Sequence, residues 1–203
     1  MPNWCYNNMV VYGNPTEIKD FQSKMINAVK ETEKTNHWGL FSVYKQFGYT
    51  DDYILNSSDN GYIRGNVNYV GKIEILNDKI SYISIEYESA WNSMLEGFDF
   101  LLKNHYKTLK QFTIAEEPSC EVYINTDENH IFFKEKYVVY NDEEGSNYFE
   151  SDDKLIEYFN YHLSDKDKVK TVQECFEYLE KNNETLPANG QEVDASLHEF
   201  VGY

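Results

Sequence analysis

Apolar and polar residues alternate with a period of two in the middle of the chain, over residues 71–75 and again over 83–88. This period predicts two strands, each with one apolar face. A three-residue loop, 77–79, places both apolar faces on the same side of a hairpin, whereas a two-residue loop would turn one of them to water. The predicted strands are 62–76 and 80–88, with Ile73 opposite Ile83 and Tyr69 opposite Tyr87.

A helix is predicted directly after this hairpin, over residues 93–105. Its apolar residues recur at intervals of three and four, which forms one stripe along the helix. Asn92 or Ser93 is placed to cap its first turn. The stripe, which we expect to pack on the apolar face of the hairpin, consists of Met94, Leu95, Phe98, Leu101 and Leu102.

The same patterns predict a strand at 8–12, a helix at 16–30 and a further strand at 111–115. The resulting order, β-α-β-β-α-β, is that of the ferredoxin-like split-βαβ fold. This is an α+β fold in which two helices cover one face of an antiparallel sheet. Residues 31–60 form a long connection to which the patterns assign no element.

We expect two parts in the chain. Residues 1–126 form the ferredoxin-like domain, and residues 127–203 form an acidic C-terminal extension of strands and two helices packed on it. The first of these helices is predicted to begin after Ser151, which can cap it. From about Thr185 the sequence predicts a weakly ordered tail.

Charge is unevenly distributed over the 203 residues, whose formal net charge is -17. Residues 116–203 hold 22 Asp and Glu against 7 Lys, a net charge of -15, whereas residues 1–115 carry -2. Arg64 is the only arginine in the sequence. Nucleic-acid binders meet phosphate with clusters of Arg and Lys, so we expect no direct binding to DNA or RNA.

The cysteines and histidines predict neither a metal site nor a cofactor. Cys5, Cys120 and Cys175 lie far apart, and the five histidines show no paired spacing, so we interpret the cysteines as buried or inert thiols. No apolar run has the length of a membrane span, and the first residues lack the basic region of a secretory signal. We therefore expect a cytoplasmic protein with no membrane partner.

Three groups of residues in the N-terminal part could carry chemistry, and each also has an ordinary structural explanation. Trp4 and Cys5 place an aromatic ring and a thiol next to each other in the sequence. No basic residue lies nearby in the sequence to lower the pKa of that thiol. Trp91 could be a platform for a ligand, or it could cover the end of the core. The third group consists of Glu116, Glu117 and Glu121. Carboxylates close together can carry out acid–base or metal chemistry, or they can cap a turn at the surface.

Four segments also resemble a known family. They are PNWCYNNMVVYG (2–13), ESAWNSM (88–94), AEEPSCEVYINTD (115–127) and IFFKEKYVVYNDEEGSNYFES (131–151). They resemble the YubB-type ferredoxin-like domain family of phage and plasmid proteins. The resemblance implies a ferredoxin-like fold and an origin in a mobile element, and this setting suggests a role against host systems.

The acidic run 142–168 is the main candidate for function. Carboxylates spaced along helices and loops can imitate a phosphate backbone and dock on a basic nucleic-acid-binding surface, or they can be an ordinary solvated face. Interleaved tyrosines can supply contact area. The residues predicted to bind a partner are Glu143, Glu144, Glu150, Asp152, Asp153, Glu157, Tyr158 and Tyr161.

These observations lead to one main hypothesis of function, to one alternative in a different class, and to a third possibility, a purely structural accessory protein. The main hypothesis is a non-enzymatic binding protein of phage or plasmid origin. It would inhibit a host nucleic-acid-directed defence complex, as an anti-CRISPR or anti-restriction protein does, through an acidic surface that mimics nucleic acid. The alternative is an enzyme acting on a small molecule or nucleotide, with its site between the sheet and the 31–60 connection.

Overall fold

Two antiparallel sheets organise the residues that the computed structural model describes, which are 3–35, 39–56, 64–188 and 191–202. Together with the helices they make a mixed α+β protein, as the sequence predicts. The chain divides into two units, Met1–Thr126 and Asp127–Tyr203. They are called unit 1 and unit 2 below.

Unit 1 has a sheet with the strand order β2-β4-β1-β5-β6. The short strand β3 pairs with the first residues of β4. Every strand pair in it is antiparallel. A single 3-10 turn, Pro118–Cys120, separates β5 from β6. The described elements of unit 1 are β1 (Trp4–Gly13), α1 (Pro15–Thr35), α2 (Gly39–Gln46), α3 (Asp51–Asn56), β2 (Gly65–Val70), β3 (Glu74–Asn77), β4 (Ile80–Ala90), α4 (Leu95–His105), β5 (Lys110–Glu117) and β6 (Val122–Asn125).

The core of unit 1 lies between one face of this sheet and its helices. Met9 lies opposite Ile85 and Val11 opposite Ile83 in the β1–β4 ladder, and all four side chains are buried. The buried stripes of α1 and α4 belong to the same hydrophobic cluster. Each such side chain contributes about 1.5–3 kcal/mol on burial. The helical members of this cluster include Ile18, Phe21, Met25, Phe98, Leu101 and Leu102.

The predicted strand 62–76 is wrong as one element. Its described residues form two strands, β2 and β3, and residues 71–73 between them are not in a ladder. A register shift after Val67 places Tyr69 opposite Glu86, so the predicted pairing of Tyr69 with Tyr87 is also wrong. The close approach of Gly71 to β4, where its amide donates to the Ser84 carbonyl at 2.8 Å, marks the break.

The turn of the hairpin also differs from the prediction. Asn77 lies opposite Ile80, so that only two residues connect β3 to β4. The reason is the side chain of Asn77, whose Oδ1 accepts from the amides of Lys79 at 3.0 Å and Ile80 at 3.1 Å and closes the turn locally. Residue Ile75, expected on the apolar face, is 79% exposed.

Two helix boundaries of unit 1 differ from the sequence prediction. Helix α1 continues to Thr35, five residues beyond the predicted end. Helix α4 begins at Leu95 and has no side-chain cap. The predicted cap Asn92 instead accepts a hydrogen bond from the amide of Ser93, its immediate neighbour, at 2.8 Å.

Unit 2 has a sheet with the order β8-β7-β10-β9 and two helices that pack on it. Its β9 and β10 correct the predicted tail from Thr185, because Leu186, Ala195 and Leu197 are buried in the core of this unit. The described elements are β7 (Tyr137–Asn141), β8 (Gly145–Phe149), α5 (Asp152–His162), α6 (Val172–Lys181), β9 (Thr185–Ala188) and β10 (Gln191–Glu199). The described helices, in both units, are too short or too polar to cross a membrane.

Candidate interaction surface

The six carboxylates predicted to bind a partner all lie at the surface of unit 2. Two of them occupy the turn between β7 and β8, one follows β8, and three lie on α5. All six residues are exposed. This set is called the acidic surface below: Glu143, Glu144, Glu150, Asp152, Asp153 and Glu157.

The β7–β8 turn is fixed by a buried asparagine. Asn141 Oδ1 accepts hydrogen bonds from the amides of Glu143 at 3.0 Å and Glu144 at 2.6 Å. Gly145 follows with a φ of 75°, a conformation that glycine adopts without strain. The two carboxylates therefore leave the turn from a defined backbone.

Tyr158 ties this turn to α5. Its hydroxyl donates to Glu144 Oε2 at 3.0 Å and accepts from Asn141 Nδ2 at 2.8 Å. Its ring packs on Phe149, with centroids 5.0 Å apart, and on His162 at 4.7 Å. Burial, and then the hydrogen bond to Glu144, raise the pKa of Tyr158 well above its ordinary value. Tyr158, which the sequence predicts to bind a partner, therefore mainly stabilises the structure of unit 2.

The first turn of α5 concentrates charge where a helix favours it. Ser151 caps the helix, as predicted, by accepting from the amide of Lys154. Asp152 and Asp153 follow at the positive end of the helix dipole. Asp152 also accepts from the hydroxyl of Tyr137 at 3.0 Å.

Part of the acidic surface is already neutralised by lysines of unit 2. Lys154 lies 3.4 Å from Glu150, and Lys136 lies 4.0 Å from Asp152. Within the described residues no ion pair involves Asp153 or Glu157. These two carboxylates, on one exposed side of α5, are the best placed to meet an external cation.

Tyr161 stands next to them, one turn after Glu157. Its side chain is 84% exposed and contacts the ring of His162 edge-on. A tyrosine this exposed offers a rigid apolar ring and a hydroxyl to a partner at a low entropic cost. Of the two predicted tyrosines, it is the one that faces solvent.

Unit 2 also has an acidic groove that no pattern in the sequence indicates. Asp142, Glu184 and Asp194 line it, and its volume is about 540 Å³. It is held by two backbone hydrogen bonds, from Asp142 to Asp194 at 3.2 Å and from Ala195 to Glu184 at 2.7 Å. Three distant segments build this groove, so no local pattern in the sequence could reveal it.

The segments that contain the candidate residues of unit 1 meet at one end of its sheet. Cys5 lies opposite Ser89 on β4, and Tyr6 lies opposite Glu116 on β5. The amide of Trp91 donates to the carbonyl of Asn3 at 2.8 Å. Three of the four segments that carry the family resemblance therefore meet here.

Cys5 itself is not a reactive group. It is fully buried, and burial, reinforced by the charge of Glu117, raises the pKa of its thiol to about 12. Trp91 is 44% exposed and does not close the core. Its backbone has a φ of 66°, a left-handed conformation that is rare for a bulky residue, and the guanidinium of Arg64 lies 5.2 Å from its ring centre.

The structure does not bring the three glutamates together. Glu116 and Glu117 are adjacent on β5 and point to opposite faces, since side chains alternate along a strand. Glu117 is buried, Glu116 is partly exposed, and Glu121 lies at the surface in a left-handed conformation after the 3-10 turn. In the described ranges, no three His, Cys, Asp or Glu residues are arranged to hold a metal ion.

Residues 39–56 of the 31–60 connection pack into the core of unit 1. The helices α2 and α3 contribute Leu40, Val43, Tyr44 and Ile54 to the cluster below the sheet. The hydroxyl of Tyr44 donates to the carbonyl of Gly97 at 3.1 Å. A small apolar cavity lies beside α2, and Leu40, Val43 and Leu101 are among the residues that line it. Residues 36–38 and 57–60 of the connection lie outside the described residues.

Comparison of the chain with protein-family models, with curated proteins and with solved structures finds no match. The geometry of the two units is therefore the basis for a functional assignment.

Proposed function

We propose that the protein is a non-enzymatic binding protein of phage or plasmid origin that inhibits a host nucleic-acid-directed defence complex, as anti-CRISPR and anti-restriction proteins do. The acidic surface of unit 2 docks on a basic nucleic-acid-binding surface of that complex. Asp153, Glu157 and Tyr161 make the central contact.

The observation that carries this proposal is the way the carboxylates are held. Glu144 and Asp152 each accept a hydrogen bond from a tyrosine of the scaffold, at 3.0 Å in both cases. Strands β7 and β8 and helix α5 thus present negative charge from fixed positions, as a phosphate backbone does. Preorganised charge lowers the entropic cost of docking and raises the association rate.

The fold of unit 1 supports the proposed origin. We propose that it is a ferredoxin-like split-βαβ domain of the YubB type. Its strand order β2-β4-β1-β5, with α1 after β1 and α4 after β4, is consistent with this arrangement. In that case unit 1 is a scaffold shared with the family, and unit 2 supplies the contact.

Charge reversal of two residues tests the proposal. The double variant Asp153→Lys, Glu157→Lys changes two exposed residues with no ion pair in the described structure. The matched control Glu33→Lys, Asp78→Lys makes the same charge change at exposed positions of unit 1. Exposed charges contribute little to stability, so both variants should fold.

The assay is phage plating on bacterial strains that carry a CRISPR–Cas or restriction system and express the protein. The wild-type chain and the control variant should restore phage plating. The 153/157 variant should give a plating efficiency at least about tenfold lower than that of the wild-type chain. Binding to the purified defence complex should weaken steeply with salt, because screening acts over about 8 Å at physiological ionic strength. Equal restoration by the 153/157 variant would show that the acidic surface only keeps the protein soluble.

A further inference from the structure

The register of the unit 1 sheet places aromatic and acidic residues together on the face that points away from the core. Odd-numbered residues of β1, such as Met9 and Val11, point into the core. Even-numbered residues therefore point to the opposite face of the sheet. On that face Trp4 is partly buried, and Tyr6 is 57% exposed.

Two carboxylates flank Tyr6 on this face. The ladders place Tyr6 directly opposite Glu88 on β4 and Glu116 on β5. Side chains directly opposite each other on neighbouring strands have their Cβ atoms about 4.5–5.5 Å apart. The ring of Tyr6 is thus bordered by a carboxylate on each side, and Trp4, two residues away on the same strand, adds a second ring.

This combination selects the chemistry of a ligand. Aromatic faces attract cations, and carboxylates bind them with charge-assisted hydrogen bonds. An apolar partner would remove water from the carboxylate of Glu88 without replacing its hydrogen bonds, and the negative charge of the two glutamates would repel a phosphate. The planar guanidinium of arginine satisfies both elements, since it stacks on a ring and offers a fork of donors to carboxylates.

We propose that this face, formed by Trp4, Tyr6, Glu88 and Glu116, binds an arginine side chain of a partner protein. The guanidinium stacks on the ring of Tyr6 and donates to the two flanking carboxylates. The site is in unit 1 and does not depend on the acidic surface of unit 2. Within unit 1 a guanidinium already packs on an aromatic ring, that of Arg64 on the ring of Trp91.

The probe for this site is a blocked peptide, Gly-Arg-Gly-Arg-Gly, titrated into the full ¹⁵N-labelled chain and followed by amide shifts. The shifts should include the amides of Tyr6, Glu88 and Glu116. Replacing both arginines of the peptide by citrulline, which keeps the shape and removes the charge, should abolish them. Shifts at unit 2 report a separate contact with its carboxylates.

Variants separate a ring contact from general charge attraction. Tyr6→Ala should weaken the peptide's binding at this face about fivefold, while Tyr6→Phe should stay within about twofold because the ring remains. Glu88→Gln and Glu116→Gln should each weaken it about threefold. The control Tyr161→Ala removes an exposed tyrosine of unit 2 and should leave these shifts unchanged.

The outcomes are distinct from those of the plating assay. If the arginine peptide shifts only residues of unit 2, or if Tyr6→Ala binds as the wild type does, the unit 1 site is refuted and the proposed function is untouched. If the 153/157 variant fails to restore plating yet keeps the Tyr6-dependent shifts, both proposals stand.

Discussion

The hydroxyl of Tyr158 offers a direct test of how the acidic surface is held together. Tyr158→Phe keeps the ring and its packing on Phe149 but removes one donor and one acceptor. Asn141 Nδ2 then loses its 2.8 Å partner and retains only Glu144 at 3.3 Å. Because each hydrogen bond contributes a net of about 0.5–1.5 kcal/mol, we expect the turn to lose about 1–2 kcal/mol.

Amide hydrogen exchange in the full chain measures this loss locally. The amides of Glu143 and Glu144, which donate to Asn141, should exchange about 5–30-fold faster in the variant. Amides of the β1–β4 ladder in unit 1 should not change. A local readout is preferable to a single unfolding curve, because a chain of two units need not unfold in one step.

Tyr161→Phe is the matched control for this experiment. It removes the same hydroxyl from the same helix, but its side chain is exposed. We expect an effect within about 0.5 kcal/mol. If Tyr158→Phe changes the exchange of the turn no more than Tyr161→Phe does, the hydroxyl does not anchor the turn and the argument from preorganised charge fails.

Three further outcomes are expected. Asn7→Ala should lower the free energy of unfolding of unit 1 by about 1–3 kcal/mol, because buried Asn7 donates to the carbonyl of Cys5 and the hydroxyl of Ser89. Replacement of its exposed neighbour, Asn8→Ala, should change this free energy little. Tryptophan fluorescence in urea measures the unfolding of unit 1, which holds all three tryptophans. A thiol reagent at pH 8 should label only exposed Cys120 in the folded protein, and slowly. Its pKa is raised by the hydrogen bond to Glu117, so labelling should speed up as pH rises, and a fast reaction of two or three thiols would contradict the burial of the others. Elemental analysis of the purified protein should find zinc and iron well below one per chain, and a stoichiometric metal would contradict the ligand spacing.

Local patterns predicted the elements whose signals are complete within a few residues. The stripe of α4, the cap at Ser151 and the alternation of β4 are of this kind, and the structure has all three. The break at 71–73 was not predicted, because the alternation continues through it and only the contact of Gly71 with β4 reveals it.

The strands β9 and β10, in place of the expected tail, do have a signal in the sequence. Ala195 and Leu197 alternate with polar residues, and an Asn-Gly pair at 189–190 is a strong hairpin signal in a sequence. By contrast, the role of Tyr158 depends on a contact with Glu144, and the groove depends on three separate segments. Neither has a period or a spacing that a single sequence can show.

The position of β10 also shapes how the protein is made on the ribosome. This strand lies between β7 and β9, with Leu197 opposite Val139. While the chain is still being synthesised, β7 and β8 exist without their neighbour, and β7 exposes unpaired amides and carbonyls at its edge. The core of unit 2 can close only when residues 191–199 have left the exit tunnel. Nascent chains stalled before Gln191 should therefore be captured by chaperones, whereas unit 1 can fold earlier in translation.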